Sequence, residues 1–151
     1  MLSKPVNGWS DFQLEGTSVY GLSYLSDIAF DWLAQAIHGL ETMMPFCVQG
    51  YLEPDRFLCV VSYWNCHIVC EDEECNPLNA EDVVNEFSHT DMLQFCKFLY
   101  NDISENLEAW ISFDEYEESE LKERKTDIIQ KLGRLKDLIS EREKFFYRIR
   151  C

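Results

Sequence analysis

Basic residues are scarce over most of this chain. The first 120 positions contain only Lys4, Arg56 and Lys97, against 23 aspartates and glutamates, so this stretch has a net charge of −20. Residues 121–151 are different, because they carry ten bases and five acids. A body this acidic repels nucleic acid and anionic membranes, and it attracts basic proteins over a Debye length of about 8–10 Å. We therefore predict a basic protein partner, no nucleic-acid partner and no membrane partner.

Long apolar runs and glycine-rich loops are also missing. No stretch approaches the ~20 consecutive apolar residues that a membrane-spanning helix needs, and the N-terminus MLSKPVNGWSDF has no apolar core of a signal peptide. No glycine-rich loop of the kind that cradles phosphates occurs. No linker rich in proline, glycine or serine divides the chain. These absences predict one cytoplasmic domain over residues 1–151.

The seven cysteines raise the question of metal or thiol chemistry. Most lie in apolar runs such as PFCV, FLCVV and LQFCKFL, where free cysteines behave as small buried hydrophobes. The run CHIVCEDEECNP is the exception, because it adds a histidine and four acids. On a strand, Cys66 and Cys70 point to one face and His67 to the other. A small metal-binding protein or thiol enzyme using Cys66, His67, Cys70 and Cys75 is therefore one hypothesis.

The competing interpretation is a buried strand followed by a solvated acidic turn, and we favour it. A zinc knuckle needs a second ligand pair, for which His89 and Cys96 are the only distant candidates. Acidic surroundings raise the pKa of a thiol, and no set of nucleophile, base and orienting residue can be named. We predict no catalytic residue, no metal ligand and no cofactor.

The hydrophobic pattern of the first half predicts strands, one helix and a hairpin. SVYGLSYL (18–25) is typical of a strand, and SDIAFDWLAQAIHGLETMMP is typical of a helix capped by Ser26. FCVQGYL and FLCVVSYWNCHIVCE, joined by EPDR, predict an antiparallel β-hairpin. Its second arm is either one bent strand or two strands that break near Asn65. Residues 1–17 are expected to form an irregular arm.

The second half is predicted to be helical. Asn79 is expected to cap a short helix, AEDVVNEF, and Ser88 with Asp91 is expected to form the capping pair of the next helix. The whole chain then has an α+β fold, in which a small antiparallel sheet with a β-hairpin packs against helices. A strand–helix–hairpin part covers residues 18–75, and a helical part covers residues 79–150.

A long C-terminal helix over Glu118–Arg150 ends the chain. Its acids come first and its bases last, which complements the helix dipole. The preferred interpretation is that its apolar stripe packs on the sheet and helices of the same domain. The alternative is a homodimer, because the spacing of seven between Leu121, Ile128 and Leu135 is compatible with a short coiled coil.

The chain resembles the small, acidic, cytosolic immunity proteins of bacterial toxin–immunity pairs, as found in contact-dependent inhibition and polymorphic toxin systems. The resemblance rests on size, on the acidic body and on the lack of catalytic residues, with EPDR, YWN and CEDEE as surface points. It implies a non-catalytic protein that plugs the basic cleft of a cognate toxin, often a nuclease. Acids can mimic substrate phosphates, and aromatic anchors add affinity, although core packing is the alternative for each aromatic residue. The predicted partner-binding residues are Glu53, Asp55, Tyr63, Trp64, Glu71, Asp72, Glu73 and Glu74.

Overall fold

The computed structural model describes residues 1–71 and 85–149, and within these ranges it contains four helices and two antiparallel sheets. This confirms the predicted α+β class. None of the described helices is long and apolar enough to cross a membrane. In chain order the elements are β1 (Trp9–Phe12), β2 (Tyr20–Ser23), α1 (Ile28–Thr42), β3 (Phe46–Tyr51), β4 (Arg56–Val61), β5 (Cys66–Glu71), β6 (Asn85–Ser88), α2 (Met92–Glu105), α3 (Leu107–Ile111) and α4 (Glu118–Ile149).

The expected irregular arm at residues 1–17 is wrong, because it contains strand β1. This strand pairs antiparallel with β2, from Trp9 opposite Ser23 to Phe12 opposite Tyr20. The expected strand at residues 18–25 is confirmed as β2. Phe12 is fully buried. A strand of four residues shows too little alternation to be recognised before its partner is known.

Helix α1 is where the sequence predicts a helix, but its cap is one residue later than expected. The side chain of Asp27, not that of Ser26, accepts the hydrogen bond from the Phe30 backbone N–H, at 3.4 Å. The helix ends at Thr42, and the C-cap residue Met43 has a left-handed φ of 53°. Asp27 also pairs with Arg124 of α4, and this tertiary contact favours it as the cap.

The predicted hairpin is confirmed as β3 and β4, which lie in a four-stranded sheet of order β3–β4–β5–β6. The alternative of two strands in the second arm is the correct one. The Ser62 backbone N–H donates to the Asn65 carbonyl at 2.9 Å, which closes a tight turn between β4 and β5. The β3–β4 turn contains a cis Glu53–Pro54 bond, and the Leu52 N–H donates to the Asp55 carbonyl at 2.7 Å.

The helix predicted for AEDVVNEF is wrong over its described residues, because Asn85–Ser88 form strand β6 beside β5. Asn79 and the rest of that stretch lie outside the described residues. Hydrogen bonds to β5 override the local helical pattern here. The capping pair is also shifted by three residues: Asp91 and Gln94 form the capping box of α2, at 2.8 and 3.1 Å, while Ser88 belongs to β6.

The long C-terminal helix is confirmed as α4, and it packs against α1 and α2. The predicted stripe is largely buried within the chain. A homodimer through α4 stays a prediction, and it would have to use surfaces beside the buried stripe, where Ile129 and Phe145 are exposed on its two flanks. The fully or nearly buried residues of α4 are Ile128, Leu132, Leu135, Leu138 and Phe146.

The core lies between the helices and one face of the four-stranded sheet, which we call the inner face. Trp32 of α1 stacks near Phe57 of β4 and Phe95 of α2, each with ring centroids 6.2 Å apart. The Trp32 indole N–H donates to the Gln49 carbonyl of β3 at 2.9 Å, so a buried ring keeps its polar group satisfied. The opposite, outer face of the sheet therefore has no part in this core.

Candidate protein-binding surface

The predicted partner-binding residues lie at two opposite ends of the four-stranded sheet. Glu53 and Asp55 are in the β3–β4 turn, and Glu71 is beside that turn because it pairs with Arg56 in the β4–β5 register. Tyr63 and Trp64 are in the β4–β5 turn, at the far end of β4. This six-residue strand spans about 20 Å at ~3.3 Å per residue. The structure therefore separates the acidic candidates from the aromatic ones, while Asp72, Glu73 and Glu74 lie outside the described residues.

Two of the three described carboxylates at the acidic end form no ion pair with a described lysine or arginine. Glu53 and Asp55 are exposed, and within residues 1–71 and 85–149 no lysine or arginine forms an ion pair with either of them. Glu71 is half-buried and receives a hydrogen bond from the Arg56 guanidinium at 3.3 Å. The tight turn therefore holds two carboxylates in water, next to one charge pair.

The aromatic end is partly structural. The Tyr63 hydroxyl donates to the Met43 carbonyl at the end of α1, and the Tyr63 carbonyl accepts from the Met92 N–H at 3.4 Å. Tyr63 thus ties the turn to two helices, as the core-packing alternative expects. Trp64 is 44% exposed and meets the ring of Phe146 edge-on, with centroids 6.3 Å apart. Of Tyr63 and Trp64, Trp64 is therefore the more accessible.

The outer face of the sheet is a surface that the sequence reasoning did not select. Burial alternates along every strand of the sheet, so successive side chains fall on opposite faces. Registers place the outward side chains in three cross-strand rows. The first row is Cys47, Val60, His67 and Phe87; the second is Gln49, Leu58, Val69 and Asn85; the third is Tyr51, Arg56 and Glu71.

The first two rows are uncharged when histidine is neutral, which is unusual in a chain with a net charge of −15. Val60 is 37% exposed and Phe87 is 64% exposed. The His67 ring stacks flat on Phe87, with centroids 4.3 Å apart and planes inclined by 6°, and its Nε2 donates a hydrogen bond to the Asn85 side-chain oxygen. The only signal in the sequence was that His67 and Val69 face away from the cysteines. Their neighbours in the rows depend on the strand registers.

The burial of the cysteines and the pKa values of their thiols favour a structural role for them. Cys66 and Cys70 are buried on the inner face, as predicted, and His67 lies on the other side of the sheet. The Cys66 thiol donates to the Thr90 carbonyl at 3.3 Å. Burial, followed by the charges of Asp55 and Glu86, raises the pKa of Cys70 to about 11.

Other cysteines show the same trend. Burial raises the pKa of Cys47 and of Cys96, and a hydrogen bond with the Cys66 thiol, together with burial, raises that of Cys59. Protonated thiols are poor nucleophiles and poor metal ligands. Over residues 1–71 and 85–149, no group of three or more His, Cys, Asp or Glu side chains is arranged to hold a metal ion. Cys75 lies outside these ranges.

Comparisons with known proteins return no match. No protein-family model matches the chain, and no curated protein and no solved structure matches it significantly. What the chain does must therefore be inferred from the charge, exposure and geometry of its own residues.

Proposed function

We propose that this chain is a non-catalytic protein that binds and neutralises a basic protein partner. The observation that carries the proposal is the exposed acidic end of the sheet, where Glu53 and Asp55 form no ion pair with any lysine or arginine among the described residues. Complementary charge speeds association and excludes wrong partners. A basic partner would supply the cations that the chain itself does not.

Several bases of α4 are paired with acids outside the acidic end of the sheet. Three ion pairs join basic residues of α4 to acidic residues earlier in the chain, and none of them involves the β3–β4 turn. In addition, the Arg142 side chain donates to the Leu40 carbonyl at 2.9 Å. The positive C-terminal segment therefore offsets charge near α1 and α3. The three ion pairs are Arg124 with Asp27, Lys125 with Glu108, and Arg134 with Glu41.

Within this proposal, the partner is a bacterial toxin and the chain is its immunity protein. The support is the resemblance in size and acidity, together with exposed carboxylates on a tight turn. Carboxylates in such a position can occupy the places of substrate phosphates in the basic cleft of a nuclease. Exposed Trp64, at the other end of the sheet, is a candidate anchor.

The two alternatives have less support. A thiol or metal protein would need Cys66, Cys70 and His67 to converge, yet they lie on opposite faces of one strand. Self-association through the α4 stripe would need Ile128 and Leu135, which are fully buried inside the chain.

The first experiment isolates the partner and tests charge. The tagged chain is used for affinity capture in its native cells at low and high salt, and co-eluting proteins are identified by mass spectrometry. A stoichiometric basic partner is then purified, and its association rate and its inhibition are measured. We expect the double variant Glu53→Lys, Asp55→Lys to slow association by about tenfold or more at low salt.

The matched control is Glu123→Lys, Asp137→Lys on α4, which changes the net charge equally at two exposed positions. We expect this control to slow association by less than about threefold, because only the long-range charge changes. If both double variants slow association equally, the sheet end is not the contact. If the chain is captured alone at both salt concentrations, the neutralising function is refuted.

A further inference from the structure

The outer face of the four-stranded sheet presents apolar atoms to water in an otherwise acidic protein. Its first two rows hold Val60, Phe87 and Leu58, with no carboxylate and no ammonium among the outward side chains. Exposed apolar surface of this kind is typical of interaction sites. The sheet therefore has a second surface, distinct from its acidic end.

The most exposed ring on this face is held in position. Phe87 lies flat against His67, and His67 is itself oriented by its hydrogen bond to Asn85. A side chain that is already ordered loses little conformational entropy when a partner covers it. This is the arrangement expected of an aromatic contact residue rather than of a loose surface residue.

The apolar rows adjoin the acidic end directly. The third row ends the face with the Arg56–Glu71 pair, and the turn beyond it carries Glu53 and Asp55. Moving about 20 Å along the sheet therefore leads from uncharged apolar side chains to uncompensated carboxylates. A complementary surface would have an apolar centre with lysine or arginine at one end.

A second copy of the chain is a poor occupant. Three strands of six residues and one of four, spaced ~4.8 Å apart, give a face of roughly 350 Å², less than half of the ~800 Å² per partner of a standard interface. Two copies would also bring together two bodies with a net charge of −15 each. An oppositely charged partner avoids this repulsion and adds contacts at the acidic end.

We infer that the outer face is the docking surface for the basic partner, which places apolar side chains on Val60 and Phe87 and cationic side chains at Glu53 and Asp55. This inference rests on the proposed function, and it assigns the partner's apolar contacts to residues outside the predicted set. It makes Phe87 rather than Trp64 the main aromatic contact.

Two synthetic peptides of equal charge serve as probes. One is acetyl-VTFTVKKKK-amide, which combines apolar side chains with a cationic end, and the other is its polar counterpart acetyl-STSTSKKKK-amide. Each is labelled with fluorescein, and its binding to the full chain is measured by fluorescence anisotropy at low and moderate salt. We expect the apolar peptide to bind at least about tenfold more tightly, because burial of valine and phenylalanine adds to the charge attraction.

The variant Phe87→Ser should remove most of this difference between the peptides. The matched control is Tyr147→Ser on α4, which removes an aromatic ring of similar exposure, 69% against 64%, and should change neither affinity. Val60→Thr keeps the side-chain volume and serves as a second variant if Phe87→Ser reduces the folded fraction seen by circular dichroism.

The outcomes separate the docking surface from the proposed function. The inferred docking surface would be refuted by equal affinities for the two peptides. It would also be refuted if Phe87→Ser and Tyr147→Ser lowered the affinity for the apolar peptide equally. If the double variant Glu53→Lys, Asp55→Lys still weakens the binding of both peptides in that case, the chain does bind a basic partner, but not through the outer face. Sedimentation of the unliganded chain completes the test. A dimer that Phe87→Ser dissociates would show that the occupant is a second copy.

Discussion

The side chain of Glu86 ties the two sheets together, and its loss is the sharpest test of the fold. Its carboxylate accepts hydrogen bonds from the Ser18 hydroxyl at 2.7 Å, from the Ser18 backbone N–H at 3.0 Å and from the Tyr20 hydroxyl. These contacts join β6 to β2 and to the residues before it. The hydrogen bond from Tyr20 is the largest cause that holds the pKa of Glu86 below its ordinary value of 4.5.

The variant Glu86→Gln keeps the shape of the side chain and removes its charge. A hydrogen bond to a charged group contributes about 1.5–3 kcal/mol to stability, and the half-exposed position of Glu86 reduces this contribution. We therefore expect the free energy of unfolding to fall by about 1–2 kcal/mol at pH 7. In a domain of this size that corresponds to a fall in Tm of roughly 2–8 °C. Urea unfolding followed by circular dichroism measures it, with Glu123→Gln, an exposed carboxylate on α4, as the control for net charge.

The pH dependence of the free energy of unfolding tests this role of Glu86. Because the pKa of Glu86 is lower in the folded state, its ionised form stabilises the fold above its ordinary pKa of 4.5. That stabilisation is lost as pH falls through the folded-state pKa. The difference between wild type and Glu86→Gln should therefore shrink below about pH 4. A difference that stays constant down to pH 3, or one no larger than that of Glu123→Gln, would refute the role of the carboxylate.

Three further predictions follow from the packing. Asp91→Ala should lower the free energy of unfolding by about 1 kcal/mol, because it removes the capping box of α2, whereas Asp91→Asn should retain most of it. Gly39→Ala should lower the free energy of unfolding by about 1–3 kcal/mol, because a Cβ at Gly39 would overlap the ring of Phe46. The control Gly133→Ala has open space around it and should be neutral or stabilising. Equal effects of the two variants on stability would contradict this packing. Thiol titration at pH 7 should find Cys59 and Cys96 unreactive until urea unfolds the chain, and fast modification of either in the native state would exclude their burial.

The acidic end of the sheet could be predicted from the sequence, but the apolar docking surface could not. EPDR lies in a tight turn between two strand-like runs, so Glu53 and Asp55 could be predicted to be exposed. Phe87 could not be linked to His67, because the stretch AEDVVNEF has a helical pattern and only pairing with β5 makes its end a strand. Tyr63 shows the converse case: a predicted contact residue whose hydroxyl is engaged by Met43 inside the chain.

Local capping signals were ambiguous for a similar reason. Ser88 with Asp91 and Asp91 with Gln94 have the same spacing of three, so both pairs satisfy the capping pattern. Asp91 is the N-cap of α2 because Ser88 belongs to strand β6, where it pairs with Cys66. Ser26 and Asp27 present the same ambiguity, and the contact of Asp27 with Arg124 distinguishes them.

The sequence by itself determined the α+β class, the β3–β4 hairpin, helices α1 and α4, and the excess of carboxylates. These features depend on periodicity, turn chemistry and composition, all of which act over a few neighbouring residues. Only the tertiary structure decided that β1 and β6 are strands, which acids remain unpaired, and which side chains share the outer face. Those outcomes depend on hydrogen bonds and contacts between residues far apart in the chain, for which a single sequence carries no local signal.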